Sequence, residues 1–179
     1  LSITTTANGD LYATNANNFD ISIKHYSLDE SSNWIEMPEI ALGDDIEDQP
    51  LLFTANDQLH YLDPFTDEII QLTDDGFTPI TTLQLESIPL TIAAAPDGTY
   101  VTVSNATIEF YTADGLLIRS LYSLDFSSTS DIDGLTIGRD STLYFATDDI
   151  RTGEVLAISQ RVPDRRYGLQ TLVPYRLSG

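Results

Sequence analysis

The stretch Ala95–Asn105, APDGTYVTVSN, joins an apolar run to an alternating one through an Asp-Gly turn. Asp-Gly between such segments is a strong short-range hairpin signal. The end of the stretch recurs along the chain. LYATN (Leu11–Asn15), LFTAN (Leu52–Asn56), VTVSN (Val101–Asn105) and YFATD (Tyr144–Asp148) start 41, 49 and 43 residues apart. Each comes after an apolar stretch and usually a turn, as in ITTTANGD, IALGDD, LTIAAAPDG and LTIGRDS. The second copy carries the insertion IEDQ, which accounts for its longer spacing.

The segments C-terminal to these phrases match one another as well. ATIEFYTADGLLIRSL reads as a hairpin about Ala113-Asp114-Gly115, and DQLHYLDPFTDEIIQL as a hairpin about DPFTD. The first copy continues as DISIKHYSLDESSNWIEM, the fourth as GEVLAISQ and then LQTLVPY. Apolar and polar residues alternate through these segments, and no segment holds a helical period over 11 or more residues. Each unit therefore reads as four short antiparallel strands. Four-stranded units at a period of about 40 to 50 residues point to β-propeller blades.

The expected fold is all-β, a β-propeller of four four-stranded antiparallel blades, either four-bladed or part of a larger propeller. A single domain over residues 1–179 divides into approximate blades 1–38, 39–76, 77–125 and 126–179. The innermost strands are expected at SITTT, EIAL, LTIAAA and GLTIG, where small residues suit a crowded channel. An arc completed by another copy or partner is a further arrangement. A β-sandwich is the alternative fold, and the four-fold recurrence argues against it.

The third copy carries a family resemblance. Residues 89–121, PLTIAAAPDGTYVTVSNATIEFYTADGLLIRSL, resemble an NHL-type or YVTN-type propeller repeat. Pro89, Ala93, Asp97, Gly98, Asp114 and Gly115 occupy the matching places. Many unrelated functions share that repeat. The resemblance also implies where a hydrolase of this type would work, because propeller lactonases gather acids and Asn around a calcium in the channel. Asp131, Asp133, Asp148 and Asn105 are the residues here that fall near expected loop mouths.

Charge narrows the partners. The chain has 28 Asp and Glu against 8 Lys and Arg, a net charge of −20. Such a field opposes nucleic acid and anionic membranes. No apolar run approaches the roughly 18 residues that span a bilayer. The chain has no Cys, which excludes disulfides and thiolate metal sites. The abundance of Asp, with a single Lys at Lys24, suits an extracellular, cell-surface or periplasmic setting. Residues 151–179 reverse the sign, with five Arg against two acids. Their loop RVPDRRYGLQ, with Arg161, Arg165, Arg166 and Tyr167, holds residue types enriched at protein contacts.

Chemistry is sparse. The two histidines, His25 and His60, both fall in expected third strands and each precedes a Tyr, so they read as equivalent packed positions rather than as catalytic bases. Gly-x-Ser-x-Gly and a phosphate-cradling glycine loop are absent. Calcium is the candidate cofactor, since it takes six to eight oxygens. GDDIED and SDIDG concentrate them, which makes Asp44, Asp45, Asp48, Asp131 and Asp133 the candidate ligands. Asn105 opens a glycosylation sequon, Asn-Ala-Thr. Trp34, in SSNWIEM, lies on an expected outer strand, where exposure would mark a binding surface. These features favour a non-enzymatic extracytoplasmic module that contacts protein or glycan, with self-association among its contacts. A metal-dependent propeller hydrolase or lactonase is the alternative.

Overall fold

The turns that punctuate the sequence set the strands. Thr6 N donates to Asp10 O at 3.0 Å, Ala95 N to Thr99 O at 2.8 Å and Gly138 N to Thr142 O at 2.8 Å. One five-residue turn thus recurs at the same place in three copies. In the first and third it is closed further by Gly9 N to Thr6 O and by Gly98 N to Ala95 O. Gly98 takes a φ of 86°, which glycine adopts without a Cβ penalty. The Asp97 carboxylate also accepts from Thr99 N at 3.0 Å.

The computed structural model describes residues 2–17, 20–42, 50–73, 76–104, 107–122, 132–138, 142–147, 155–158 and 174–176. Seventeen strands run through them. The first sheet holds β1 (Ile3–Thr5), β2 (Leu11–Asn17), β3 (Asp20–Leu28) and β4 (Trp34–Glu36) in that order, and β5 (Ile40–Ala41) also pairs with β3. The second holds β6 (Leu51–Ala55), β7 (Gln58–Asp63), β8 (Glu68–Thr73) and β9 (Gly76–Thr82). The third holds β10 (Thr91–Ala94), β11 (Tyr100–Val103), β12 (Thr107–Tyr111) and β13 (Leu117–Tyr122). The fourth holds β14 (Ile132–Ile137), β15 (Leu143–Thr147), β16 (Val155–Ile158) and β17 (Pro174–Arg176). Every pairing is antiparallel between sequence neighbours, apart from β3 with β5. The protein is all-β with four antiparallel sheets.

The second copy departs from the expected phase. EIAL does not open the second sheet. Its Ile40 and Ala41 pair with Ile23 and Ser22 of β3, beside the stretch that three-residue β4 leaves uncovered. The first strand of the second sheet is instead Leu51–Ala55, a segment that matches second strands of the other copies by sequence. The cause is a turn substitution. Ala55 pairs with Gln58 across a two-residue loop in which Asn56 and Asp57 have φ values of 51° and 62°. Two left-handed residues in succession make the tight hairpin turn that matches strand twist. Its Asn therefore resembles the end of a second strand while ending a first. One consequence is that His25 lies on a third strand and His60 on a second, so they are not equivalent. Another is that the last strand of the second sheet, β9, runs past the expected boundary at residue 76. Pro79 sits in that outer strand, which tolerates a missing N–H.

The chain forms two compact units, residues 1–86 with 114–116, and residues 87–113 with 117–179. In the first, β1 lies against β6. The Leu52 N–H donates to Ser2 Oγ at 2.8 Å, and Thr54 Oγ1 donates to Thr5 O at 3.0 Å. Ile23 and Leu42 pack with Leu52, Leu59, Tyr61 and Ile70 to form the core between these sheets, joined by Tyr12, Ile21 and Ile40. Burial pushes the Tyr61 phenol up to about 12, helped by Asp63 and Glu68. In the second unit β10 lies against β14. Val101, Val103, Ile108, Phe110 and Leu143 form its core, with Leu135 and Ile137 packed on it.

Candidate binding surface

Strand alternation divides the first sheet into two faces. Tyr12, Thr14, Ile21, Ile23 and His25 share one face, and Tyr12, Ile21 and Ile23 are part of the core with the second sheet. The cross-strand rows Ile3–Ala13–Lys24, Thr5–Leu11–Tyr26–Glu36 and Leu28–Trp34 occupy the other. On this second face Ile3 is 60% exposed, Trp34 54% and Leu28 45%, while Leu11, Ala13 and Tyr26 between them are half-buried. Ile35 and Met37 are exposed as well, but they alternate to the opposite face, where Ile35 pairs in register with Ser27.

A rigid turn presents the Leu28–Trp34 pair. Asp29 Oδ1 accepts from the N–H groups of Ser31 and Asn33, each at 2.8 Å. Asp29 N donates to Asn33 O at 2.9 Å, and Ser32 N to Asp29 O at 2.9 Å. The bonds from Asn33 and Ser31 hold the Asp29 carboxyl below its ordinary range. Beyond β4 the strand is tied back by Met37 N donating to His25 O at 2.8 Å. An aromatic anchor on a braced hairpin binds at low entropic cost, because little is left to order.

Among the described side chains of this face, one lysine is paired with two carboxylates. Lys24 Nζ lies 2.8 Å from Glu36 Oε1 and 3.7 Å from Glu39 Oε2. Asn15 Nδ2 donates to Glu39 Oε1 at 3.1 Å, and the Ser22 hydroxyl also donates to Glu39. Hydrogen bonds from Ser22 and then Asn15 lower the Glu39 pKa, and the bond to Glu36 raises that of Lys24. The three ionic side chains sum to −1 on a chain of −20.

The rim of the opposite face carries a second polar group. His25 Nε2 lies 3.5 Å from Asp10 Oδ2, and the imidazole stacks on Tyr12 with centroids 4.4 Å apart. The hydrogen bond from Ser27 is the largest cause lowering the Asp10 pKa. The order is serine, carboxylate, imidazole. Activation of a nucleophilic serine requires the imidazole in the middle. His60 is buried, stacks on Phe53 with centroids 5.3 Å apart, and has Nδ1 2.9 Å from Gln58 O. It is a packing residue.

Among the described residues no group of three or more His, Asp or Glu is gathered to hold a metal ion. Asp44, Asp45, Asp48, Asp131 and Asp148 lie outside the described residues, as do Asn105, Arg161, Arg165, Arg166 and Tyr167. Asp133 is within β14, and its side chain is outside the described set. Trp34 is the residue singled out in the sequence that the structure places on an open face. Its neighbour in register, Leu28, was not singled out, although both flank the turn DESSN.

No protein-family model and no curated protein matches the chain. Solved structures of the β-propeller type do. One is a nidogen/laminin complex, with 17% identity and a TM-score of 0.60, covering 88% of this chain and 59% of that one. Another is regucalcin, a calcium-binding protein from Agrobacterium tumefaciens, with 12% identity and a TM-score of 0.58, covering 87% and 59%. A third is a gluconolactonase from Xanthomonas campestris, with 13% identity and a TM-score of 0.55, covering 81% and 52%. At these identities the likeness concerns the fold. The chain spans between about half and three-fifths of the length of these three structures.

Proposed function

We propose that this chain is a propeller-type binding or assembly module that works outside the cytoplasm and contacts another protein through the open face of its first sheet. The carrying observation is Trp34, 54% exposed and paired in register with exposed Leu28 on a braced hairpin. Trp is the residue type most enriched where binding energy concentrates. Apolar surface beside it favours a protein over a glycan. The nidogen/laminin likeness is compatible with such a role. Four NHL-like blades are the arrangement we favour for the sheets.

A metal-dependent hydrolase is the second reading, supported by the likeness to a gluconolactonase and to a calcium-binding regucalcin. Its metal would be calcium, held from the acidic loops at Asp44, Asp45, Asp48, Asp131 and Asp133. A photo-cross-linking residue at position 34, with a control at exposed Thr78, separates the two. The binding role predicts a discrete protein adduct at 34 and none at 78. Absence of adduct together with calcium-dependent turnover of a lactone panel would overturn it.

A further inference from the structure

We propose that Asn8 is a site of spontaneous covalent modification, where the chain converts its own side-chain amide to an acid, and that the turn from Thr6 to Asp10 sets the rate.

Asn8-Gly9 is the only Asn-Gly pair in the sequence. Glycine sets no side chain beside its backbone nitrogen, so that nitrogen can reach the side-chain carbonyl carbon of the preceding Asn. In the reaction Gly9 N bonds to Asn8 Cγ, and Nδ2 departs as ammonia with the proton that Gly9 N gives up. Water then opens the cyclic imide at one carbonyl or the other, which leaves Asp or isoaspartate at position 8. Water is the sole co-reactant, and Asn8 is exposed to it. An added Cβ at Gly9 would meet only Leu28 Cδ1, at 3.9 Å, which leaves room for the imide ring.

Both reacting groups are engaged in the folded turn. Gly9 N donates to Thr6 O at 3.0 Å. Asn8 Oδ1 accepts from the Thr6 hydroxyl and from Asp10 N, the latter at 3.2 Å. Asn8 Nδ2 donates to Asp10 Oδ2 at 2.9 Å. Asp10 is itself anchored to β3, by the hydrogen bond from Ser27 and by His25 Nε2 at 3.5 Å. The amide must leave this clamp before its carbon can meet Gly9 N. Opening two such bonds should slow the step by roughly ten- to a hundredfold relative to the unfolded chain.

The product undoes the turn that held it. A carboxylate at position 8 has no N–H for Asp10, and it brings a like charge to where Nδ2 now lies 2.9 Å from Asp10 Oδ2. Isoaspartate also adds a methylene to the main chain inside a five-residue turn. That turn joins β1 to β2, and the β1 segment meets the second sheet where Ser2 Oγ accepts from Leu52 N and Thr5 O from Thr54 Oγ1. The modification is therefore an age mark that loosens the first strand of the first sheet.

Tandem mass spectrometry of the whole chain, incubated at neutral pH both folded and in urea, reads the amide-to-acid mass change at residue 8 against time. The expected result is conversion in both states, slower in the folded chain by the factor above. Asp10→Ala should speed the folded reaction several-fold. Ser27→Ala, which frees Asp10 from β3 and keeps the turn sequence, should act in the same direction should the first variant fold poorly. Aged wild-type chain should melt several degrees below fresh chain, and Asn8→Ser should not age in this way. An unmodified Asn8 in the folded chain after about a hundred half-lives of the urea sample overturns the site. Equal rates in the two states, or folded rates that neither Asp10→Ala nor Ser27→Ala changes, overturn the control by the turn.

Discussion

The hydroxyl of Tyr111 donates to Oε2 of Glu109 at 2.7 Å, with both side chains buried. Glu109 lies in the cross-strand row Thr102–Glu109–Ser120 of the third sheet, and its Oε1 has no hydrogen-bond partner among the described residues. A buried carboxyl with one oxygen unmatched costs the fold its desolvation. Glu109→Gln removes the charge and keeps an acceptor for Tyr111, so it should melt at or above the wild type. Tyr111→Phe strands the second oxygen and should cost about 1–3 kcal/mol, a fall of several degrees by calorimetry. Equal losses in both variants would show that the pair acts through shape and not through polarity.

Gly98 makes the recurrent five-residue turn possible in the third sheet. Its φ of 86° lies in the left-handed region, and an added Cβ would stand 3.4 Å from the Ala113 Cβ. Gly98→Ala should cost about 1–2 kcal/mol, from backbone strain with a smaller steric contribution. Chemical denaturation with an unchanged slope is the measurement. An unaltered midpoint would mean that the turn relaxes to another conformation.

Acid should weaken the fold in two separate windows. Burial lowers the His60 pKa from its ordinary 6.5, so the unfolded chain binds the proton first. Stability is then full above about 6.5 and declines as pH falls toward the folded value. Asp10 is lowered from 3.8, chiefly by Ser27, so its contribution is present above 3.8 and disappears below it as pH falls through the folded value. His60→Phe should remove the upper window and leave the lower one. Melting curves from pH 7 to 3 read both, and a profile unchanged by His60→Phe would assign the upper decline elsewhere.

How far the sequence reaches can be judged residue by residue. The third sheet is legible throughout, because Asp97-Gly98 and Asp114-Gly115 spell its turns and β-branched or aromatic residues fill Tyr100–Val103 and, Glu109 apart, Thr107–Tyr111. The second sheet misleads because Asn56 reads as the end of a second strand while it follows a first, and only pairing tells the two apart. Ile40 and Ala41 read as an inner strand because they are apolar, yet the open stretch of β3 beside short β4 captures them. Trp34 is visible as a candidate, but its face is not. Which side of a strand is covered depends on the register to β2 and β3, and a shift of one residue would have exchanged Trp34 with Ile35.

The turn that displaced the second copy also supplies a sharp test of its own conformation. Asn56 and Asp57 both carry positive φ in a two-residue hairpin loop, and the residue pair best suited to that loop is Asn-Gly. Asp57→Gly removes the Cβ strain at one of these positions while keeping the Asn. It should stabilise the chain by about 0.5–1 kcal/mol, the release of strain exceeding the greater freedom of Gly in the unfolded chain. Asp57→Val places a β-branched residue in the left-handed region and should destabilise by more than that amount. Urea midpoints at constant slope report both changes. If Asp57→Gly lowers the midpoint and Asp57→Val leaves it alone, the loop does not hold two left-handed residues, and β6 would lose its assignment as the first strand of the second sheet.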